Sequence, residues 1–167
     1  DFIQHLFVAS THNYILFFTD RGRCYWLKVH EIPEAGRASR GKSIVNLVSK
    51  QPDENIAAIM PVQEFDDRHF VAMVTVRGVI KKTVLSEFGN VRRSGIMAIS
   101  MRKDDIVKDV KLTDGTEDII IGTHEGMAIR FSEKEARPMG RAASGVRAIT
   151  LNKGDKVVGA VAIKRRT

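Results

Sequence analysis

The sequence predicts an all-β protein built from repeated four-stranded units, and two recurring patterns support this fold class. A glycine-bounded basic loop that leads into an apolar strand is written three times, at residues 36–47, 89–101 and 140–151. An apolar opening strand recurs at residues 1–8, 55–62, 105–112 and 156–163. A period near 50 residues with several β-rich runs per repeat is typical of propeller-like arrays, whose units bury their apolar faces against their neighbours.

The repeat divides residues 1–167 into three complete units and the start of a fourth. Each complete unit reads as four strands, and no run has the length and period of a helix. The units are residues 1–54, 55–104, 105–155 and 156–167, and the strands predicted in the third are 106–112, 118–123, 127–132 and 146–151.

The turns and the fourth strands carry the clearest local patterns. Arg21-Gly22, Arg77-Gly78 and Glu125-Gly126 each stand between two β-rich runs, which predicts two-residue hairpin turns with glycine at positive φ. Apolar and polar residues alternate in Ile99-Ser100-Met101 and again in Ile149-Thr150-Leu151, as expected for a strand with one buried face.

Composition limits the class of protein. The 167 residues carry a formal net charge of +7, and this basic surplus indicates a polyanionic partner. No stretch approaches the roughly 18 apolar residues of a membrane span, and residues 1–5 lack the charged head of a secretory signal, so we expect a cytoplasmic protein. The single cysteine, Cys24, excludes an internal disulfide framework, and its apolar surroundings predict a buried thiol.

Basic residues gather in the repeated loops. If the units lie side by side, these loops form one basic rim. The guanidinium groups of the rim attract the phosphates of a duplex, and the loop glycines let the two backbones approach closely. Without a base-reading helix, we expect little sequence readout. The candidate DNA-binding residues are Arg37, Arg40, Lys42, Arg92, Arg93, Arg137, Arg141 and Arg147.

Two alternatives to this DNA-binding rim stay open. The loop arginines could pair with neighbouring acids and only solvate the edges of the units. The same rim could instead dock an acidic protein surface, which would make the chain a protein-interaction propeller. The acids that could neutralise the loops are Glu31, Glu34, Glu87, Glu133 and Glu135.

Nothing in the sequence predicts catalytic, metal-binding or cofactor-binding residues in this chain. Its five histidines lack metal-ligand spacing, and neither a glycine-lysine phosphate loop nor a serine elbow is present. Asp66-Asp67 and Asp104-Asp105 stand in predicted turns, where aspartate binds the local backbone. The aromatic residues interpreted as core packing rather than as a base-stacking platform are Phe17, Phe18, Tyr25 and Trp26.

Several motifs, in order along the whole chain, resemble the C-terminal domain of the DNA gyrase A subunit, with the closely similar domain of topoisomerase IV as the alternative. The motifs are Phe7-Val8-Ala9-Ser10-Thr11-His12, Leu16-Phe17-Phe18-Thr19, Glu31-Ile32-Pro33-Glu34, Leu112-Thr113-Asp114-Gly115, Ile119-Ile120-Ile121-Gly122-Thr123 and Arg137-Pro138-Met139-Gly140-Arg141.

The resemblance implies a fold and a role. Domains of this family are six-bladed β-pinwheels whose blades exchange strands with their neighbours, so this chain would hold about three blades and the start of a fourth. They bend duplex DNA around a basic outer edge, and in gyrase this wrap directs strand passage toward negative supercoiling. The family's basic heptapeptide, Gln-Arg-Arg-Gly-Gly-Arg-Gly, is not in this sequence, and the three loops are its degenerate counterparts.

The resemblance also implies partners outside this chain. The parent enzyme would be an ATP-dependent type II topoisomerase, with ATP and Mg²⁺ bound elsewhere in the holoenzyme. Its partners would be duplex DNA, the gyrase B subunit and the rest of the A subunit, in the bacterial cytoplasm at the nucleoid. Because the family's nucleophilic tyrosine belongs to a separate domain, Tyr14 and Tyr25 are expected to be packing residues.

Overall fold

A computed structural model of the chain describes residues 13–29, 52–90 and 94–164. These residues form β-strands and two short 3-10 helices, Leu85–Phe88 and Glu133–Glu135, and contain no α-helix, which confirms the predicted all-β class. No helix in these ranges is long and apolar enough to cross a membrane. The strands are β1 Tyr14–Thr19, β2 Arg23–Lys28, β3 Ile56–Val62, β4 Phe70–Thr75, β5 Val79–Val84, β6 Ile96–Met97, β7 Val107–Thr113, β8 Glu117–Thr123, β9 Ala128–Ser132, β10 Val146–Arg147 and β11 Val157–Lys164.

The sheets do not coincide with the sequence units. The strand orders are β3-β1-β2-β6 in the first sheet, β10-β5-β4-β7 in the second and β11-β8-β9 in the third, and all the pairings are antiparallel. Each sheet takes a hairpin from one unit and its remaining described strands from the unit that follows, two strands in the first and second sheets and one in the third. Neighbouring units are therefore interlocked by strand exchange, as the resemblance implied.

The first two hairpin turns contain three residues and the third, residues 124–127, contains four, whereas two were predicted for each. Phe18 pairs with Cys24 and Val74 pairs with Ile80, so the first turn comprises residues 20–22 and the second 76–78. The amide of Gly22 donates to the carbonyl of Thr19 at 3.1 Å, and Gly22 has a φ of 86°. A turn closed in this way by a left-handed glycine matches the right-handed twist of the flanking strands.

The fourth strands of the second and third units, β6 and β10, are shorter than predicted, and that of the first unit lies outside the described residues. In the third unit only Val146 and Arg147 pair with β5, after which the amides of Ala148 and Ile149 both donate to the carbonyl of Gly78, at 2.8 and 3.3 Å. The chain thus leaves the ladder to cover the neighbouring turn. Ile149 is buried and Thr150 is exposed, so the predicted alternation of faces persists although the ladder does not. The predicted opening strands of the second, third and fourth units are confirmed as β3, β7 and β11, and that at residues 1–8 lies outside the described residues.

The second sheet is buried on both faces. Val71 and Met73 of β4 pack in a cluster shared with the first sheet, which also contains the thiol of Cys24. Ala72 and Val74, pointing the other way, pack in a cluster shared with the third sheet. Because successive residues of a strand face opposite sides, one strand supplies both cores. The units therefore stack as the repeat predicts.

Candidate nucleic-acid interface

The basic loop of the third unit, residues 137–147, has both of its ends on β5. Pro138 forms a parallel bridge with Lys82, and the amide of Met139 donates to the carbonyl of Lys82 at 2.7 Å. At the other end, Val146 pairs with Ile80. A loop of the third unit is therefore held on a strand of the second.

A buried ammonium group lies beneath this loop. Lys81, which is only 1% exposed, donates from Nζ to the carbonyl of Arg141 at 2.6 Å and to the carbonyl of Ala98. Burial lowers the pKa of Lys81 to about 8; the nearby Arg141 lowers it further, whereas Glu87 opposes the shift. One charge thus ties the loop of the third unit to the fourth-strand segment of the second. Lys81 is not among the predicted site residues, and its only sequence signal is a lysine pair inside an apolar strand.

Gly145 closes the loop where no other residue fits. Its φ is +84°, and a Cβ at this position would lie 2.5 Å from the carbonyl oxygen of Ile80 and 3.0 Å from the Cβ of Lys81. The first contact is with backbone, so it cannot be relieved by a change of rotamer. This glycine lets the loop return close against β5.

Three of the predicted DNA-binding residues lie in the described loop, and backbone carbonyls hold two of them. Arg141 is half-buried and donates from Nη1 to the carbonyl of Met97 at 3.1 Å. Arg147 is exposed and donates from Nη1 to the carbonyl of Arg77 at 3.4 Å. Arg137 is exposed. The other predicted residues, Arg37, Arg40, Lys42, Arg92 and Arg93, lie outside the described residues.

The described acids form no ion pair with the arginines of this loop. Glu87 accepts a hydrogen bond from the backbone amide of Arg141 at 3.3 Å, not from its guanidinium. Glu133 is fully buried and pairs with Lys82 at 3.4 Å. Within residues 52–90 and 94–164, no carboxylate forms an ion pair with the guanidinium of any of the three loop arginines. The alternative in which acids neutralise them therefore does not hold for the described acids, while Glu31 and Glu34 lie outside the described residues.

The family model for the DNA gyrase C-terminal domain, described as a β-propeller, matches residues 13–63, 69–114 and 117–164. The chain belongs to this family. Among curated relatives, the DNA gyrase A subunit of Clostridium acetobutylicum is 50% identical over 147 residues, and that of Halalkalibacterium halodurans is 48% identical over 150. These alignments cover 88% and 90% of this chain but 18% of each relative, so the chain spans about a fifth of their length.

Solved structures show the same fold for this gyrase-type C-terminal domain. A C-terminal domain of DNA topoisomerase IV is 33% identical, with a TM-score of 0.84 over 93% of this chain and 48% of that chain. A DNA gyrase A C-terminal domain matches with a TM-score of 0.73 at 22% identity, over 91% of this chain and 48% of that one. The resemblance identified from the sequence motifs is therefore confirmed at the level of the family.

Buried acids in this domain hold its turns. Glu133 Oε2 accepts hydrogen bonds from the amides of Gly115 and Glu117, at 3.0 and 2.8 Å, and its Oε1 accepts one from the hydroxyl of Thr113 at 2.7 Å. Asp114 and Glu117 complete a group of three carboxylates close enough to hold a metal ion. Glu117 Oε2 accepts from the amide of Asp114 at 2.8 Å, and burial raises the pKa of Glu117. These bonds assign the cluster a structural role in closing the turn between β7 and β8.

Other residues weighed for function are also structural. Phe17, Phe18 and Tyr25 are buried, which confirms core packing, and half-buried Trp26 makes an edge contact with Tyr14 at 5.2 Å between ring centroids. The thiol of Cys24 is buried, and burial raises its pKa. The predicted turn aspartates also bind backbone: Asp66 Oδ1 accepts from the amides of Arg68 and His69, and Asp105 Oδ1 from those of Arg77 and Ile106.

Proposed function

We propose that this chain binds duplex DNA through its basic loops, with little dependence on sequence. The observation that carries the proposal is which groups the described loop arginines contact. Their guanidiniums form no ion pair with described carboxylates, and those of Arg141 and Arg147 are held by backbone carbonyls. A carbonyl fixes a guanidinium without cancelling its charge and leaves its remaining N–H donors for phosphate oxygens.

The context of the curated relatives extends this proposal. As part of a gyrase A subunit, the domain would bend DNA around its rim and direct strand passage by the ATP-dependent enzyme toward negative supercoils. ATP and Mg²⁺ would act elsewhere in the holoenzyme. The other partners would be the B subunit together with the rest of the A subunit, in the cytoplasm at the nucleoid.

Duplex binding by the 167-residue chain across a salt series tests DNA binding. The slope of log affinity against log salt is about −0.9 per neutralised phosphate. We expect a slope that corresponds to several phosphates and is alike for unrelated sequences. R137Q/R147Q should reduce it, whereas R68Q should not, because Arg68 is exposed and already paired with Glu64 at 3.2 Å. The charge reversal R92E/R93E should also weaken binding if the second loop contributes.

Absence of binding at low salt, or binding that ignores salt, would contradict a DNA-binding rim and favour a rim that docks an acidic protein surface. The supercoiling role needs a separate measurement on the full-length parent protein. When nicked circular DNA is sealed in its presence, a wrapping domain should change the linking number, and R137Q/R147Q should diminish that change. A parent protein that leaves the linking number unchanged would favour a role of the topoisomerase IV kind, without wrapping.

A further inference from the structure

Three arginine side chains contact backbone carbonyls where the hairpin turn of the second unit lies against the loop of the third. Arg147 donates to the carbonyl of Arg77, and Arg77 donates from Nε to the carbonyl of Asp104 at 2.7 Å. Arg102 donates from Nη2 to the carbonyl of Gly145 at 2.8 Å, two residues before Arg147. These contacts join residues that are 27 to 70 positions apart in sequence. Only the stacking of the units brings them together.

All three side chains are exposed. In the described part of the chain none of them forms an ion pair, and each is held by a backbone carbonyl. The neighbouring carboxylate of Asp105 is buried, and its Oδ1 is occupied by the amides of Arg77 and Ile106. A guanidinium that is held by a carbonyl keeps its other N–H donors for the phosphate oxygens of a bound anion.

The corresponding positions of the other hairpins do not repeat the cluster. Arg21 stands where Arg77 does, immediately before the turn glycine, but it pairs with Asp53 at 3.4 Å. Glu125 occupies the same place in the third hairpin. Met97 takes the position of Arg147, two residues after the loop glycine, and is 48% exposed. The first and third hairpins therefore lack this set of arginines held by carbonyls, although Asp104 follows Arg102 and Lys103 in the chain as a nearby exposed acid.

We propose that Arg77, Arg102 and Arg147 form a phosphate-binding cluster that holds the backbone of duplex DNA at the junction of the second and third units. This proposal rests on the proposed function and deepens it, because Arg77 and Arg102 lie outside the predicted basic loops. Each guanidinium has five N–H donors in a fixed fork, and the carbonyl contact uses one. The remaining donors are pre-positioned, so binding a phosphate orders little that is not already ordered. The duplex then contacts the turn edge of the second hairpin as well as the loops.

The test is duplex binding by the full chain with R77Q/R102Q, which leaves all the predicted loop arginines in place. We expect the affinity at low salt to fall about tenfold or more and the salt slope to fall by about 1.8, the value for two phosphate contacts. The matched control is R21Q/R68Q, which removes the same net charge from exposed arginines that are already paired with acids. Apart from the effect of the lower net charge, R21Q/R68Q should leave both the affinity at low salt and the salt slope as they are in the wild-type chain.

Three outcomes separate the possibilities. If the wild-type chain binds with a steep salt slope and R77Q/R102Q keeps that slope, the cluster is overturned and the proposed function stands. If the wild-type chain does not bind, both proposals fall. The charge-conserving variant R77K/R102K serves as the control for a folding defect. We expect it to keep the salt slope of the wild-type chain. If it melts like the wild-type chain but loses that slope, a role based on charge is overturned.

Discussion

The hairpins β4–β5 and β8–β9 have the same local structure in different surroundings. The turn glycines, Gly78 and Gly126, have φ values of 91° and 90°. The hydroxyls of Thr75 and Thr123 each accept a hydrogen bond at 3.1 Å from the amide that follows the glycine. The geometry of each turn is therefore specified within the hairpin itself.

The surroundings differ at the outer edge. The segment that begins with β10 covers β5, and a Cβ on Gly78 would lie 2.7 Å from the carbonyl oxygen of Ile149. No described strand pairs with the outer edge of β9, and no described atom lies within 4 Å of a Cβ built on Gly126. The comparison teaches that the hairpin forms from its own residues, whereas its burial depends on the following unit.

The largest expected effect comes from alanine at the two turn glycines. Both G78A and G126A place a side chain at positive φ, which costs about 1 to 2 kcal/mol. G78A must also displace the backbone of Ile149 and weaken two hydrogen bonds, so we expect about 4 kcal/mol in total. Chemical denaturation of the two variants measures the difference. Equal losses of stability would show that the covering segment does not constrain the turn.

Truncation of the covering side chain should have the next largest effect. Ile149 is 5% exposed and packs with Val74 and Ile80, so I149A should destabilise the chain by about 3 kcal/mol through lost burial and a residual cavity. The control is T150A at the next, exposed position, where we expect a change within about 0.5 kcal/mol. Similar denaturation midpoints for the two variants would contradict the burial of Ile149 against the second sheet.

The smallest expected effect is a pH dependence that only the covered hairpin has. Lys81 lies three residues after its turn glycine, where the uncovered hairpin has Ile129. The folded-state pKa of Lys81 is about 8, below the ordinary 10.5, so between these values the unfolded chain binds more protons. Stability should therefore rise with pH from about 8, by at most about 1.4 kcal/mol per pH unit for this one group.

The variant K81M isolates this contribution. Cys24 acts in the opposite direction above about pH 9, because burial raises its folded-state pKa, but Cys24 is present in both proteins and cancels in the comparison. Denaturation of wild type and K81M from pH 7.5 to 9.5 gives the difference. A stability difference that does not change with pH would mean that Lys81 is not desolvated beneath the loop.

The sequence predicted the fold well, and its candidate DNA-binding residues stay a prediction. The opening strands and the turn glycines follow from local patterns, because apolar alternation and positive φ are properties of neighbouring residues. The fourth strands were predicted too long, since Ala148 and Ile149 keep the alternation while bonding to Gly78 instead of to a strand. The alternation of apolar and polar residues indicates which side chains are buried, but it does not indicate which carbonyls the backbone amides bind.

The sequence indicates candidate site residues where they repeat from unit to unit, and it does not indicate those that only contacts across the fold bring forward. Arg137, Arg141 and Arg147 stand in a repeated loop and could be found by comparison of the units. Lys81, Arg77 and Arg102 contact backbone carbonyls 17 to 60 positions away, and nothing near them in sequence records those contacts.

The sequence by itself determined the all-β class, the repeat of about 50 residues, the glycines of the turns and the basic character of the loops. These depend on composition and on the order of near neighbours. Only the tertiary structure decided that each sheet combines strands of two units, and which arginines contact a carboxylate and which a carbonyl. That choice depends on which backbone oxygens and carboxylates the stacking of units brings within reach of each side chain, so it is a property of distances across the fold.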